Sequence, residues 1–246
     1  MSIVEFCGST VPRPGHLLTM RRAMVVVVVA FGLLTSAAAL FHDTLLRIDQ
    51  PVSDAVRGWG DVEVWRVITL LGASEVYVPL ALASMVVLWN RCRSLAIAWP
   101  ALTLAASIVT FTAKALVDRP RPDLPDTGVS LAAYPSGHTI HATVALGLIP
   151  PTLYLLTRRS WSAWIAYPVV VTIAAIAGLS RVALGAHWLT DVVAGHLIGL
   201  ALLIGADLVV ELRQRDGPPR LRALHPAYWP GRAEPAEPRG VGELRR

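Results

Sequence analysis

Side chains suited to phosphate chemistry fall in three short stretches of an otherwise apolar chain: KALVDRPRP at 114–122, PSGH at 135–138 and SRVALGAHWLTD at 180–191. Lys114, Arg121 and Arg181 suit a ligand with several negative oxygens. Arg offers a planar fork that matches phosphate oxygens, and Lys a compact point charge. Ser136 and Gly137 stand where a helix is expected to start. Free backbone N–H groups and the helix dipole favour an anion there, and the missing Cβ of glycine permits close approach. His187 and Asp191 are four apart, the spacing of one helical face. A carboxylate on one ring nitrogen fixes the tautomer and leaves the other nitrogen as a nucleophile. His138, at the start of a different helix, is placed as a general acid for a leaving oxygen. Singly these residues are ordinary, since a His–Asp pair can cap a helix and an Arg at a membrane end can snorkel. Together they describe a phosphate cradle with a nucleophile and an acid, built without metal.

The elements that must position these residues are apolar. The chain has 246 residues, of which 54% are hydrophobic and only 16% charged, which excludes an ordinary soluble domain. Stretches long enough to cross a bilayer as helices are expected at roughly 23–41, 74–89, 94–117, 136–157, 162–180 and 188–210. The second is the shortest and holds Glu75 and Pro79 near its start. No alternating ten-residue pattern suggests a membrane barrel. The fold class is therefore all-α, a membrane six-helix bundle. Residues 42–75 mix acids, apolar residues and Trp59 and Trp65, and read as one or two short interfacial helices. Pro residues and Gly128 between 118 and 135 exclude a continuous helix. The GHLIG stretch at 195–199 offers small residues four apart for close helix packing, within the bundle or between copies.

Charge sets the orientation. Lys114 is the single Lys among 22 basic residues. Arg residues cluster before the first span, at 91 and 93, at 158 and 159, and in the tail, whereas the connection at 42–75 is acidic. Basic loops face the cytoplasm, so both termini are expected inside and the three motif-bearing ends outside, in a bacterial-type inner or plasma membrane. Charged groups at this depth face a protein interior or a water-filled cavity. Residues 1–22 read as a cytoplasmic segment, 23–212 as the membrane domain, and 213–246 as a basic, Pro- and Arg-rich tail without fixed structure. Residues 20–40 have features of a secretory signal, but the long apolar run favours a retained helix. Cys7 and Cys92 fall on the cytoplasmic side, where a disulfide is not expected, and have no metal-ligand spacing.

The three stretches resemble the signature of the type 2 phosphatidic acid phosphatase (PAP2) family: K-x6-R-P, P-S-G-H and S-R-x5-H-x3-D, matched in order and without substitution. The resemblance implies a core shared with vanadate-dependent haloperoxidases, here in its membrane form. It implies that His187 attacks phosphorus to form a phosphohistidine, that Asp191 orients it, and that His138 protonates the leaving group. Lys114, Arg121, Ser136, Gly137 and Arg181 match the family's phosphate-binding set. Arg119, Ser180 and His141 are accessory candidates, with His141 as either a pocket wall or a buried structural residue. No cofactor, metal or nucleic-acid partner is expected; the partners are a lipid phosphate and the surrounding membrane lipids. The expected activity is hydrolysis of a lipid phosphate monoester or pyrophosphate, with polyprenyl pyrophosphate first and phosphatidic acid or phosphatidylglycerophosphate next. A phosphotransferase acting on a lipid or sugar acceptor and a non-enzymatic lipid binder are the alternatives.

Overall fold

The structure is a computed structural model that describes residues 16–122 and 132–216. Residues 1–15 of the expected N-terminal segment, and the expected tail beyond residue 216, lie outside the described residues. In chain order the helices are α1 (His16–Leu40), α2 (His42–Arg57), α3 (Val62–Thr69), α4 (Ser74–Leu88), α5 (Arg93–Val117), α6 (Gly137–Gly147), α7 (Ile149–Thr157), α8 (Ser160–Ala183) and α9 (Leu189–Asp216). A 3-10 turn, Leu70–Gly72, joins α3 to α4. Among the described residues, six stretches are long and apolar enough to cross a membrane: Leu17–Leu40, Val62–Leu88, Arg93–Val117, Gly137–Thr157, Trp161–Ala183 and Leu189–Val210. The bundle is wrapped in apolar side chains that face outward; Phe111, for instance, is 79% exposed. In water that surface would be untenable, and in a bilayer it is solvated by lipid.

Two boundaries differ from the sequence expectation. The second span begins at Val62 rather than 74. Its first part, α3, does not lie apart at the interface but packs against α8. Asp61 starts α3 by accepting the Glu63 N–H at 2.7 Å, a local cap that a search for apolar length does not register. The fourth span is split at Leu148 into α6 and α7, with Pro150 and Pro151 in the first turn of α7. Proline carries no N–H to continue the ladder of the preceding helix. Of the two cysteines, Cys92 is buried at the start of α5, and Cys7 lies outside the described residues.

The main core joins α4, α5, α6, α7 and α9 through Leu88, Leu95, Trp99, Ile140, Leu148 and Ile198. Within it the Trp99 indole N–H donates to Thr152 Oγ1 at 3.3 Å. α1 packs on α9, and its Phe31 ring stacks on Tyr134 at 6.5 Å. Tyr134 also shares a hydrogen bond with Thr35 at 2.9 Å. The small residues of GHLIG serve packing inside the chain. A Cβ on Gly195 would sit 2.9 Å from the Ser136 carbonyl oxygen, and one on Gly199 would sit 2.6 Å from Thr143 Cβ. α9 therefore lies tight against α6, which fixes the two helix starts that carry the histidines.

Gly199→Val should cost about 1–3 kcal/mol of stability, the usual penalty for overpacking. Gly32→Val should cost little, because a Cβ there meets nothing within 4 Å. Unfolding in mixed detergent micelles compares the two, and equal stabilities would show that the α6–α9 contact can relax.

Candidate active site

Each motif is brought to one end of the bundle by a different element. α5 supplies Lys114 from its last turn and ends where Asp118 turns left-handed, at φ 40°. The following segment carries Arg119 and Arg121. Ser136 stands at the N-cap position of α6 without a side-chain cap bond, and Gly137 and His138 lie in the first turn. Arg181 lies in the last turn of α8. His187 precedes α9, and Asp191 sits in that helix's first turn. Together Lys114, Arg121, Gly137, His138, Arg181 and His187 line one cavity of about 360 Å³, with Gly72, Ser74, Tyr77 and His141 completing the wall.

The cations are spaced around that cavity by bonds to protein groups. Lys114 Nζ donates to the carbonyl of Ala132. Arg121 Nη1 donates to the Ala186 carbonyl at 3.2 Å, and Arg181 Nη1 to Thr69 Oγ1 at 2.8 Å. Arg181 Nε is buried without a hydrogen-bond partner. A buried guanidinium with an unused donor is costly until an anion arrives. Burial also lowers the Arg121 pKa from its ordinary value, the cost of holding cations in a partly desolvated pocket.

His187 and Asp191 do not pair in the way their spacing suggests. His187 lies outside the helix, so the two do not share a helical face. Asp191 instead turns back toward the start of α9, where its Oδ2 accepts the Trp188 N–H at 2.9 Å. That is the third-residue half of a capping box. The same Oδ2 stands 3.6 Å from His187 Nδ1, too long for a hydrogen bond but close enough for charge to act. Nε2 is then the nitrogen left to a ligand. His187 is 2% exposed. Burial pushes its pKa down to about 4, against the opposing pull of Asp191, so the imidazole is neutral near pH 7 and its lone pair is available.

The remaining expected residues are placed differently. Ser136 is fully buried; its Oγ accepts from Thr139 Oγ1 at 3.0 Å, and its N–H donates to the Asp191 carbonyl at 3.1 Å. Its hydroxyl is not part of the cavity wall, and its backbone ties α6 to α9. Ser180 Oγ donates to the Ala177 carbonyl at 2.6 Å, within its own helix. His141 does line the cavity, held by Ser107 at 3.0 Å and the Gly137 carbonyl at 2.8 Å and stacked 4.0 Å from the Tyr77 ring. Arg119 is not on the wall at all. It is 2% exposed and donates to Asp191 Oδ1 and to Asp49 Oδ2, both at 2.7 Å.

Sequence reasoning missed Asp49, Thr69, Gly72 and Tyr77. Asp49 carried a signal that could have been read: in α2 it shares a stripe with Leu45, Ser53 and Val56, which are buried with it. An acid on the buried stripe of an amphipathic helix needs a cationic partner. Gly72 shows no such signal. A Cβ there would sit 2.2 Å from the His138 carbonyl oxygen, a contact only the folded chain creates.

This architecture and site match known proteins. A model described as the PAP2 superfamily matches residues 95–215. Phosphatidylglycerophosphatase B of Bacillus subtilis (strain 168) is 30% identical over 180 residues, covering 68% of this chain and 85% of that protein. A 22.5 kDa protein in the cps region of Klebsiella pneumoniae, itself uncharacterized, is 29% identical over 161 residues, covering 63% and 72%. The crystal structure of a transmembrane PAP2 type phosphatidylglycerolphosphate phosphatase from Bacillus subtilis superposes with a TM-score of 0.66. It is 27% identical and spans 79% of this chain and 97% of that one. The chain belongs to the PAP2 superfamily and is a multi-pass membrane phosphatase of that type.

Two outcomes follow from this geometry. Gly72→Ala should displace the His138 backbone and lower turnover about 100-fold, as an ångström of misplacement does; wild-type turnover would mean that the α3–α4 turn simply yields. The pH dependence has a definite sign. The unfolded imidazole gains its proton near 6.5 and the folded His187 only near 4, so acidification through that window favours the unfolded chain. The folded His187 ring itself stays neutral through most of the same window. With the ionisation of the lipid phosphate corrected for, kcat/KM should hold from pH 7 to about 5 and fall only toward about 4. An acid limb at 6.5 would show an imidazole as well hydrated as in a peptide.

Proposed function

We propose that this chain is a membrane lipid phosphatase that cleaves a phosphate monoester headgroup through a phosphohistidine, without metal. The observation that carries the reading is the meeting of Lys114, Arg121 and Arg181 with His138 and His187 around one cavity. The cations take the phosphate oxygens. His187 Nε2 attacks phosphorus as the bond to the leaving lipid oxygen breaks, and His138 gives that oxygen a proton. Asp191 stabilises the positive charge that grows on the His187 ring. Water then attacks the phosphorus, the P–N bond breaks, His138 recovers a proton from the water, and orthophosphate leaves. Positioned acid catalysis and charge stabilisation of this kind each contribute several kcal/mol.

Polyprenyl pyrophosphate stands first on the sequence alone. The activity named for the similar proteins moves phosphatidylglycerophosphate ahead of it, with phosphatidic acid next. The substrate's phosphate would sit at headgroup depth while its chains stay among lipid. The charge pattern supports a site on the outer face of the membrane, with both termini inside.

Purified protein in detergent with EDTA should release orthophosphate from phosphatidylglycerophosphate, and His187→Ala should abolish the release. Loss of activity in EDTA would overturn the metal-free mechanism, and phosphate appearing only on an added acceptor would make the chain a transferase. Orientation is read separately in intact cells. Gly58 and Asn90 are exposed in the connections after α2 and after α4. Gly58→Cys should react with an impermeant thiol reagent and Asn90→Cys should not. The opposite pattern inverts the topology.

A further inference from the structure

The cluster behind the cavity wall holds more charge than the proposed chemistry uses. Asp49, Arg119 and Asp191 are each at most 2% exposed. Arg119 Nη1 donates to Asp191 Oδ1 at 2.7 Å and to Thr190 Oγ1 at 2.7 Å. Its Nη2 donates to Asp49 Oδ2 at 2.7 Å, and its Nε to His42 Nδ1 at 3.3 Å. Asp49 is fully satisfied from the other side. Its Oδ1 accepts the Thr190 N–H at 2.9 Å, and its Oδ2 accepts the Thr190 hydroxyl at 2.6 Å. The helix start that carries Asp191 is thus capped by a carboxylate from α2, a separate element.

Such a cluster is unexpected as pure architecture. A buried ion pair seldom exceeds a well-packed apolar pair in stability, and each buried charge is expensive. Charge counting gives it a purpose. Arg119 alone would neutralise Asp191 and remove the negative charge that His187 needs. With Asp49 present, the three side chains together carry one net negative charge, on the side that faces His187. The other groups around that imidazole are cationic or neutral: Lys114 from α5, Arg121 from the loop after it, His138 from α6 and Arg181 from α8. Among the described residues, Asp191 is the acid that faces the ring, with its Oδ2 3.6 Å from His187 Nδ1.

We propose that Asp49 is a positioning residue of the active site: it offsets the charge of Arg119, so that Arg119 can lock the Asp191 carboxylate in place without cancelling it. The proposal rests on the reading of His187 as the nucleophile. Asp49 is not among the residues that line the cavity and acts through Arg119 and Asp191 on the imidazole.

Charge and geometry are separated by three variants. Asp49→Asn keeps the shape and leaves the cluster neutral. Arg119→Gln leaves two unshielded carboxylates. Asp49→Asn combined with Arg119→Gln restores one net negative charge. In Asp49→Asn, kcat should fall about 10- to 100-fold, the size of outer partner effects on functional histidines, with KM within about twofold of wild type. The acid limb of kcat/KM should move to lower pH, because the uncompensated guanidinium disfavours the imidazolium. In the double variant both kcat and the limb should return toward wild type. Wild-type kcat in Asp49→Asn overturns the proposal, as does a folded double variant no more active than Asp49→Asn. Should Asp49→Asn fail to fold, the double variant decides: kcat within about tenfold of wild type supports the proposal, and a folded, inactive protein overturns it. A wild-type protein that releases no phosphate from any lipid counts against the functional reading instead. In that event NMR of labelled histidine carries the test, with the His187 signal identified by its loss in His187→Gln. Its titration should shift to lower pH in Asp49→Asn and return in the double variant, and an unchanged titration overturns the proposal.

Discussion

One guanidinium shared by two buried carboxylates organises this end of the molecule. Arg119 reaches Asp49 on α2 and Asp191 on α9 from the segment after α5, so three separate parts of the chain converge on one cation. The environment is largely closed to water, and none of the three charges could be kept there alone. Removing one partner from such a cluster typically costs 3–5 kcal/mol because it strands the others. The start of α9, the direction of the Asp191 carboxylate and the environment of His187 all follow from this constraint. The cations Lys114, Arg121 and Arg181 instead line the cavity.

The apolar scaffold serves this end by close approach rather than by a large interior. Five of the six spans are mostly exposed to the surroundings of the bundle, and the stretch beginning at Gly137 is more than half buried. Hydrophobic association is weak between helices already surrounded by lipid tails, so small residues and polar contacts fix their positions. Gly195 and Gly199 let α9 settle onto α6, Gly178 does the same for α8 against His196, and Thr143 bonds His196 at 2.8 Å. The histidine starts of α6 and α9 are thereby held in register, and the Ser136 N–H to Asp191 carbonyl bond closes the gap between them.

Much of this was legible from residue types. The six spans, the end of the bundle that carries the chemistry, and the cavity roles of Lys114, Arg121, His138, Arg181 and His187 as neighbours come from hydropathy and motif spacing. What stayed hidden is long-range or exists only in folded geometry. Asp49 is 70 residues from Arg119 in sequence, and no spacing rule connects an acid in one helix to an Arg in a later loop. From sequence Arg119 is only an accessory candidate, because its partner Asp49 lies outside the motifs. The His187–Asp191 spacing correctly suggested proximity but wrongly suggested a shared helical face, since the helix begins only at Leu189. Ser136 departs from the expected geometry in another way. A serine at a helix start suggests an anion contact, yet here its hydroxyl is turned inward to Thr139.

The capping of α9 by α2 bears on how far the familiar motif region is a self-contained module. The stretch that matches the superfamily begins at residue 95, after Asp49, Thr69, Gly72 and Tyr77 have all been made. Transplanting residues 95–215 into another bundle would carry Arg119 across without the acid that balances it. The recipient would inherit an intact signature and a buried cation facing a single carboxylate. A chimaera built from this chain therefore needs to carry the amphipathic helix after the first span together with the signature.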